Sequence, residues 1–190
     1  MKMPSTGDFL ISEPFMQDPN FQRSVVLLCQ KQEDGYVGFA INRKIDYLVG
    51  DLVEELSGCT MPLFDGGPVG KEQMFFLHNM PEVITGGTLI QKGIYWGGDF
   101  DVVKQLVQQN NIDPNRIKFI VGYSGWEAGQ LEEEMKEKSW LYTTATKNLV
   151  FQPFYRSLTT NDIQGFGLGL PLASRIIKLH KGSIELVSDA

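Results

Sequence analysis

Three stretches of this 190-residue chain place side chains with chemical potential beside glycine. Gly122-Tyr123-Ser124-Gly125-Trp126 sets a serine between a strand-like run and a helix-like one, where a hydrolase would hold its nucleophile. The spacing departs from G-x-S-x-G, because Trp126 occupies the place of the second glycine. A serine nucleophile also needs a base, and His78 is the one histidine in the first 150 residues. A strand-to-helix turn with Trp126 packed in the core is the simpler expectation. His78 itself follows an apolar run and reads as a hydrogen-bonded structural residue before it reads as a base or ligand. Gly66-Gly67-Pro68 offers backbone amides to an anion, yet Pro68 removes a donor and no Gly-Lys-Ser/Thr follows. A tight turn between two strands is the favoured reading there.

Glu127, Glu132, Glu133, Glu134 and Glu137 line an acidic helix. Such a face attracts cations, but Lys136 and Lys138 near its C-terminal end match a solvated helix aligned with its macrodipole. Gln130 stands between Gly129 and this run, with its side chain placed to close the turn. No H-x-x-x-H or C-x-x-C spacing occurs, so no metal and no cofactor is expected. Gly66, Gly67, His78, Trp126 and Gln130 are therefore binding candidates, and no residue is assigned as catalytic.

The elements that must position these residues are mostly strands. Strands are expected at Phe9-Leu10-Ile11, at Ser24 to Cys29 and at Tyr36 to Asn42, the last two joined by a Glu33-Asp34-Gly35 turn. Leu48, Leu52, Val53 and Leu56 share one face of a helix over Val49 to Leu56. Leu63 to Gly70 reads as a glycine-rich loop, and Met74 to His78 as a buried strand. One strand ending in Ile94-Tyr95-Trp96 lies between Gly86-Gly87 and Gly97-Gly98. Asp99 caps a helix carrying Val102, Val103, Leu106 and Val107 inward. Ile117 to Tyr123 is a strand stopped by Ser124-Gly125, an acidic helix spans about Ala128 to Lys138, and Trp140 to Thr144 is a strand. Without regular βαβ alternation, the class is α+β, a mixed sheet with flanking helices.

Composition narrows the function classes. Forty-two per cent hydrophobic and 21% charged residues supply a core for one ordinary domain and argue against disorder. A net charge of −6 disfavours non-specific nucleic-acid binding. Cys29 and Cys59 are too few for a disulfide framework, which points to a reduced, cytoplasmic setting. No apolar run of about 18 residues and no secretory leader is visible, so no membrane association is expected.

Several ordered segments resemble the AlgH/YqgE family of bacterial proteins. They are Gly7 to Pro14, Asp18 to Val25, Gly38 to Arg43, Gly66 to Val69, Phe76-Leu77-His78, and Gly122 to Glu134. The match runs from about residue 7 to 150. It implies a cytosolic domain with a coiled, branched β-sheet flanked by helices. Biochemical activity is unassigned in that family, and a role in regulating gene expression has been proposed for some members.

The text changes at Phe151. Phe151 to Arg156 resembles the F box of sensor histidine kinases, Gly165 to Ala173 their second glycine box, and Arg175 to Ile184 the helix and turn that follow. The resemblance implies phosphate contacts from Gly165, Gly167 and Gly169. The Mg²⁺-binding asparagine helix and the adenine-binding Asp-x-Gly-x-Gly segment are missing upstream, so 151–190 is incomplete as an ATP-binding domain. Charge shifts as well: residues 1–150 carry 13 Lys/Arg and 20 Asp/Glu, net −7, whereas 151–190 carry 4 and 3, net +1. The chain reads as an AlgH/YqgE-like domain over 1–150 joined to a kinase-like fragment, whether by natural fusion, recombination or design. Leu172, Ile176 and Leu179 form an apolar stripe that either docks on the first domain or drives self-association or protein partnering.

The expected function is a non-enzymatic binding or regulatory protein. Its rivals are an ATP-binding, kinase-related module and a small-molecule hydrolase.

Overall fold

The β-branched and apolar runs of the N-terminal third pair with one another as their sequence suggests. A computed structural model describes residues 3–33 and 35–151, which lie in one compact unit, Met1–Gln152. Strand β1 (Asp8–Ser12) pairs antiparallel with β2 (Val25–Gln32), and β2 with β3 (Gly35–Ala40). The chain continues through β4 (Lys44–Leu48), helix α1 (Val49–Leu52), β5 (Pro62–Asp65) and β6 (Val69–His78). Next come β7 (Thr88–Gln91), β8 (Ile94–Trp96), helix α2 (Phe100–Gln108) and the long strand β9 (Ile117–Glu127). Helix α3 (Gln130–Lys136), β10 (Trp140–Thr144) and helix α4 (Lys147–Phe151) complete the described residues. This is an α+β architecture: a large, mainly antiparallel sheet ordered β10-β1-β2-β3-β9-β6-β8-β7, with few helices.

Strand β9 is where the sheet branches. Its first half pairs with β6 on one edge, antiparallel, and with β5 on the other, parallel. Its second half pairs with β3, from Gly38 opposite Ser124 to Gly35 opposite Glu127. Two cores form on the two arms. Leu63, Phe76, Ile117 and Phe119 pack with Val103 and Val107 of α2. Leu10, Val26, Leu28 and Tyr36 pack with Trp126, Trp140 and, from α3, Leu131 and Met135. At the head of α2, Asp99 Oδ1 accepts the amides of Asp101 and Val102 at 3.0 and 3.3 Å, the cap expected there.

Five local expectations are corrected. The helix over Val49 to Leu56 is two short pieces, α1 and a 3-10 turn at Glu54–Leu56, because Val53 adopts extended angles between them. Leu63 to Gly70 is no simple loop: Leu63, Phe64 and Asp65 lie in β5, aligned with Phe119, Ile120 and Val121. The single strand between the two double glycines is a hairpin of β7 and β8, turned at Lys92-Gly93. The acidic helix is shorter, Gln130–Lys136. Most consequential, the strand from Ile117 does not stop at Ser124-Gly125. Small residues there let β3 lie alongside, so the strand runs on to Glu127.

Phe151, the first residue of the kinase-like text, is buried at the end of α4. The remaining residues of that text, including Gly165, Gly167, Gly169 and the Leu172–Ile176–Leu179 stripe, lie outside the described residues.

Candidate functional site

The extended course of β9 decides the fate of Ser124. The residue is fully buried mid-strand, and its hydroxyl donates to the carbonyl of Gly66 at 2.9 Å. His78 ends β6 opposite Ile117, seven residues from Ser124 along β9. The two engage different partners, His78 the Met80 amide and Gly97 O and Ser124 the carbonyl of Gly66, so they form no nucleophile–base pair.

Gly66 and Gly67 sit where β5 leaves the sheet against β9. The Gly66 amide donates to Val121 O at 2.9 Å, and the Gly67 amide donates to Asp65 Oδ1 at 3.0 Å. Both donors are thus used inside the protein, leaving neither for a phosphate. The glycines answer to space. A Cβ on Gly66 would lie 2.3 Å from Gly122 O, and one on Gly67, whose φ is +148°, 2.3 Å from Tyr123 O. Asp65 also meets Lys71 and, at 3.6 Å, the Arg43 guanidinium.

His78 is fully buried and uses both ring nitrogens. Nδ1 accepts the Met80 amide at 3.1 Å, and Nε2 lies 3.0 Å from Gly97 O. With an N–H pointing at Nδ1, the neutral ring carries its proton on Nε2 and donates it to Gly97. Burial holds its pKa below the usual histidine value. The ring stacks on Tyr95 at 5.5 Å. His78 thereby ties the 97–98 turn and the 79–80 turn to the end of β6.

Trp126 and Gln130 are brought together, through a residue the sequence reading left on a solvated face. Glu134 Oε2 accepts both the Trp126 indole N–H at 2.8 Å and that of Trp140 at 2.7 Å. Glu134 Oε1 accepts Gln130 Nε2 at 2.8 Å, while Gln130 Oε1 accepts the Glu127 amide at 3.0 Å. Gln130 closes the turn, as its place beside Gly129 suggests. Phe21 stacks on Trp126 at 5.8 Å and meets Trp140 edge-on at 5.4 Å, pinning the 18–23 loop over both indoles.

Lys118 is the functional-looking group that sequence reasoning missed. It is buried on β9, its ammonium 3.9 Å over the Phe64 ring and donating to Ile41 O at 2.9 Å. Burial pushes its pKa down to about 7. The signal was a cation set inside Ile117-Lys118-Phe119-Ile120-Val121, an otherwise apolar strand. Cys29 is buried too, which pushes its thiol pKa up and keeps it protonated. Among the described residues no group of three His, Cys, Asp or Glu side chains could hold a metal ion, and no helix is long and apolar enough to cross a membrane.

The mainly antiparallel sheet with few helices is met again among known proteins. A family model described as AlgH-like matches residues 9–167, and the chain belongs to that family. The match passes the change of text at Phe151 and takes in Gly165 and Gly167. A UPF0301 protein of Bacteroides thetaiotaomicron is 44% identical over 140 residues, covering 73% of this chain and 71% of its own length. A UPF0301 protein of Chlorobium limicola is 35% identical over 161 residues, covering 85% and 86%. The solution structure of the AlgH protein from Pseudomonas aeruginosa has the same fold, with a TM-score of 0.68 at 24% identity over 98% of this chain and all of that one. A crystal structure of a Corynebacterium diphtheriae protein superposes with a TM-score of 0.66 at 18% identity, covering 88% and 92%.

Proposed function

We propose that this AlgH-like chain is a cytoplasmic binding protein without catalytic activity, acting in regulation through a macromolecular partner. One observation carries the reading: the groups that could do chemistry are spent on holding loops together. Ser124 donates inward to Gly66 O, and both nitrogens of His78 are engaged. The two side chains engage different partners and form no nucleophile–base hydrogen bond. The net charge of −6 favours a protein partner over a nucleic acid.

The test is turnover of p-nitrophenyl acetate and p-nitrophenyl phosphate by wild type and Ser124→Ala. Equal, background rates are expected. Turnover that disappears in Ser124→Ala overturns the reading in favour of the hydrolase.

The kinase-like text from Phe151 enters this reading as an extension without nucleotide chemistry of its own. Mg-ATP titrated calorimetrically into the full chain is expected to bind no tighter than about millimolar, near −4 kcal/mol. Micromolar binding lost on replacing Gly165, Gly167 and Gly169 would promote the nucleotide reading.

A further inference from the structure

The junction of β4 and α1 presents large apolar side chains to solvent. Tyr47, Leu48 and Leu52 are 55%, 38% and 52% exposed. Leu48 ends β4 and caps α1 in an extended conformation, and Leu52 is the last residue of that single helical turn, so the two stand at either end of it. Beneath them Val49 and Leu56 are fully buried, so the core already has its apolar residues from this segment. The charge around the patch is predominantly acidic, with Lys44 at the start of β4 as an exposed cation on the same strand. Asp46, Asp51, Glu54 and Glu55 are all exposed, and residues 45–61 contain no Lys or Arg. Lys104 on α2 feels Glu55, but its ammonium is bound to Asp101 at 2.6 Å.

The geometry limits what can cover this patch. Strand β4 pairs with β5 alone among the described strands. Its register slips between Lys44, opposite Phe64, and Leu48, opposite Pro62: four steps on one strand against two on the other. Such a bulge twists an edge away from strand addition. Asp51 also takes the Leu48 amide at 2.8 Å. Binding therefore goes through side chains. Two copies joined patch to patch across a two-fold axis would set carboxylate against carboxylate, which is repulsive. Leucines ringed by carboxylates complement a helix that carries Leu on one face and Lys or Arg at its flanks.

We propose that the Tyr47–Leu48–Leu52 surface docks a cationic amphipathic helix of a partner protein, with Asp46, Glu54 and Glu55 meeting its Lys or Arg side chains. The proposal rests on the binding-protein reading above and deepens it by giving the partner's chemistry.

The experiment titrates the ¹⁵N-labelled full chain with two synthetic helical peptides, one of Leu and Lys and one of Leu and Glu. The Leu–Lys peptide is expected to shift the amides of residues 46–55 saturably, and the Leu–Glu peptide to leave them unmoved. Binding should weaken at least about tenfold in Glu54→Lys/Glu55→Lys, and at high salt. Leu52→Ser should weaken it comparably, which separates apolar docking from charge attraction alone. All three positions are exposed, and an unchanged amide spectrum elsewhere confirms folding. No saturable shift at 46–55, equal binding of the Leu–Glu peptide, or undiminished binding by either variant overturns the proposal. Each of those results leaves the ester and phosphate assays untouched, so failure here is distinct from failure of the non-catalytic reading.

Discussion

Trp126 and Trp140 donate their indole N–H groups to one and the same oxygen, Oε2 of Glu134, at 2.8 and 2.7 Å. The two rings lie edge to face at 5.9 Å, from the end of β9 and the start of β10. One carboxylate oxygen therefore joins two strands that are not neighbours in the sheet.

Glu134→Ala leaves both buried indoles without an acceptor. A hydrogen bond to a charged group contributes about 1.5–3 kcal/mol, so a loss of about 3–5 kcal/mol is expected in urea denaturation. Tryptophan emission should shift to the red as water reaches the rings. Glu134→Gln keeps an acceptor and should cost less. Wild-type stability in Glu134→Ala would show that the shared acceptor holds nothing together.

His78 gives an acid-side prediction. Its folded pKa is held below that of the unfolded chain, so below about pH 6.5 the unfolded state takes up the proton first and stability falls with pH. Protonation also turns Nδ1 from an acceptor into a donor facing the Met80 amide. Ring ¹⁵N shifts at pH 7 should report a neutral ring protonated at Nε2. A ring protonated at Nδ1 contradicts the assignment.

Lys118 acts on the alkaline side. Its folded pKa is about 7, against about 10.4 unfolded. Between those values the unfolded chain binds a proton that the folded chain does not, so stability rises with pH across this window, by up to about 1.4 kcal/mol per unit. Denaturation at pH 7 and pH 9 should show the rise in wild type and lose it in Lys118→Met. An equal rise in the variant assigns it to other groups.

Gly67→Ala probes the β5–β9 crossing. Its Cβ would press on Tyr123 O at 2.3 Å, so a loss of at least about 2 kcal/mol is expected. Gly86 is the control. Its φ is +76°, but a Cβ there meets nothing within 4 Å, so Gly86→Ala should show backbone strain alone, about 1–2 kcal/mol. Equal losses in a thermal melt would mean that the close approach is relieved without cost.

The residues that reveal themselves in sequence are those with local causes. Asp99 caps α2 because an Asp before an apolar-periodic run satisfies its first amides, and the Val25–Gln32/Gly35–Ala40 hairpin follows from its own turn signal. What stays hidden depends on a distant neighbour. Ser124-Gly125 reads as a stop until β3 is known to lie beside it. Leu63-Phe64-Asp65 looks like a loop because its partner, β9, begins more than fifty residues later. Glu134 looks solvated on its helix because the two indoles it serves come from β9 and β10. Lys118 was legible as an anomaly, a lone cation in an apolar strand, and its burial follows from β5 and Ile41 closing over it.

The branching of the sheet at Ile117–Glu127 also sets a timetable for synthesis. Strands β3, β5 and β6 each need that one strand to complete their pairing. While a ribosome is still adding the first 116 residues, all three present unpaired backbone edges flanked by apolar side chains such as Phe39, Leu63 and Phe76. Pairings that span this much chain close slowly, and open edges invite intermolecular pairing in the interval. A nascent chain of this architecture is thus exposed to aggregation until its ninth strand clears the exit tunnel, and in that interval a holding chaperone has most to offer it.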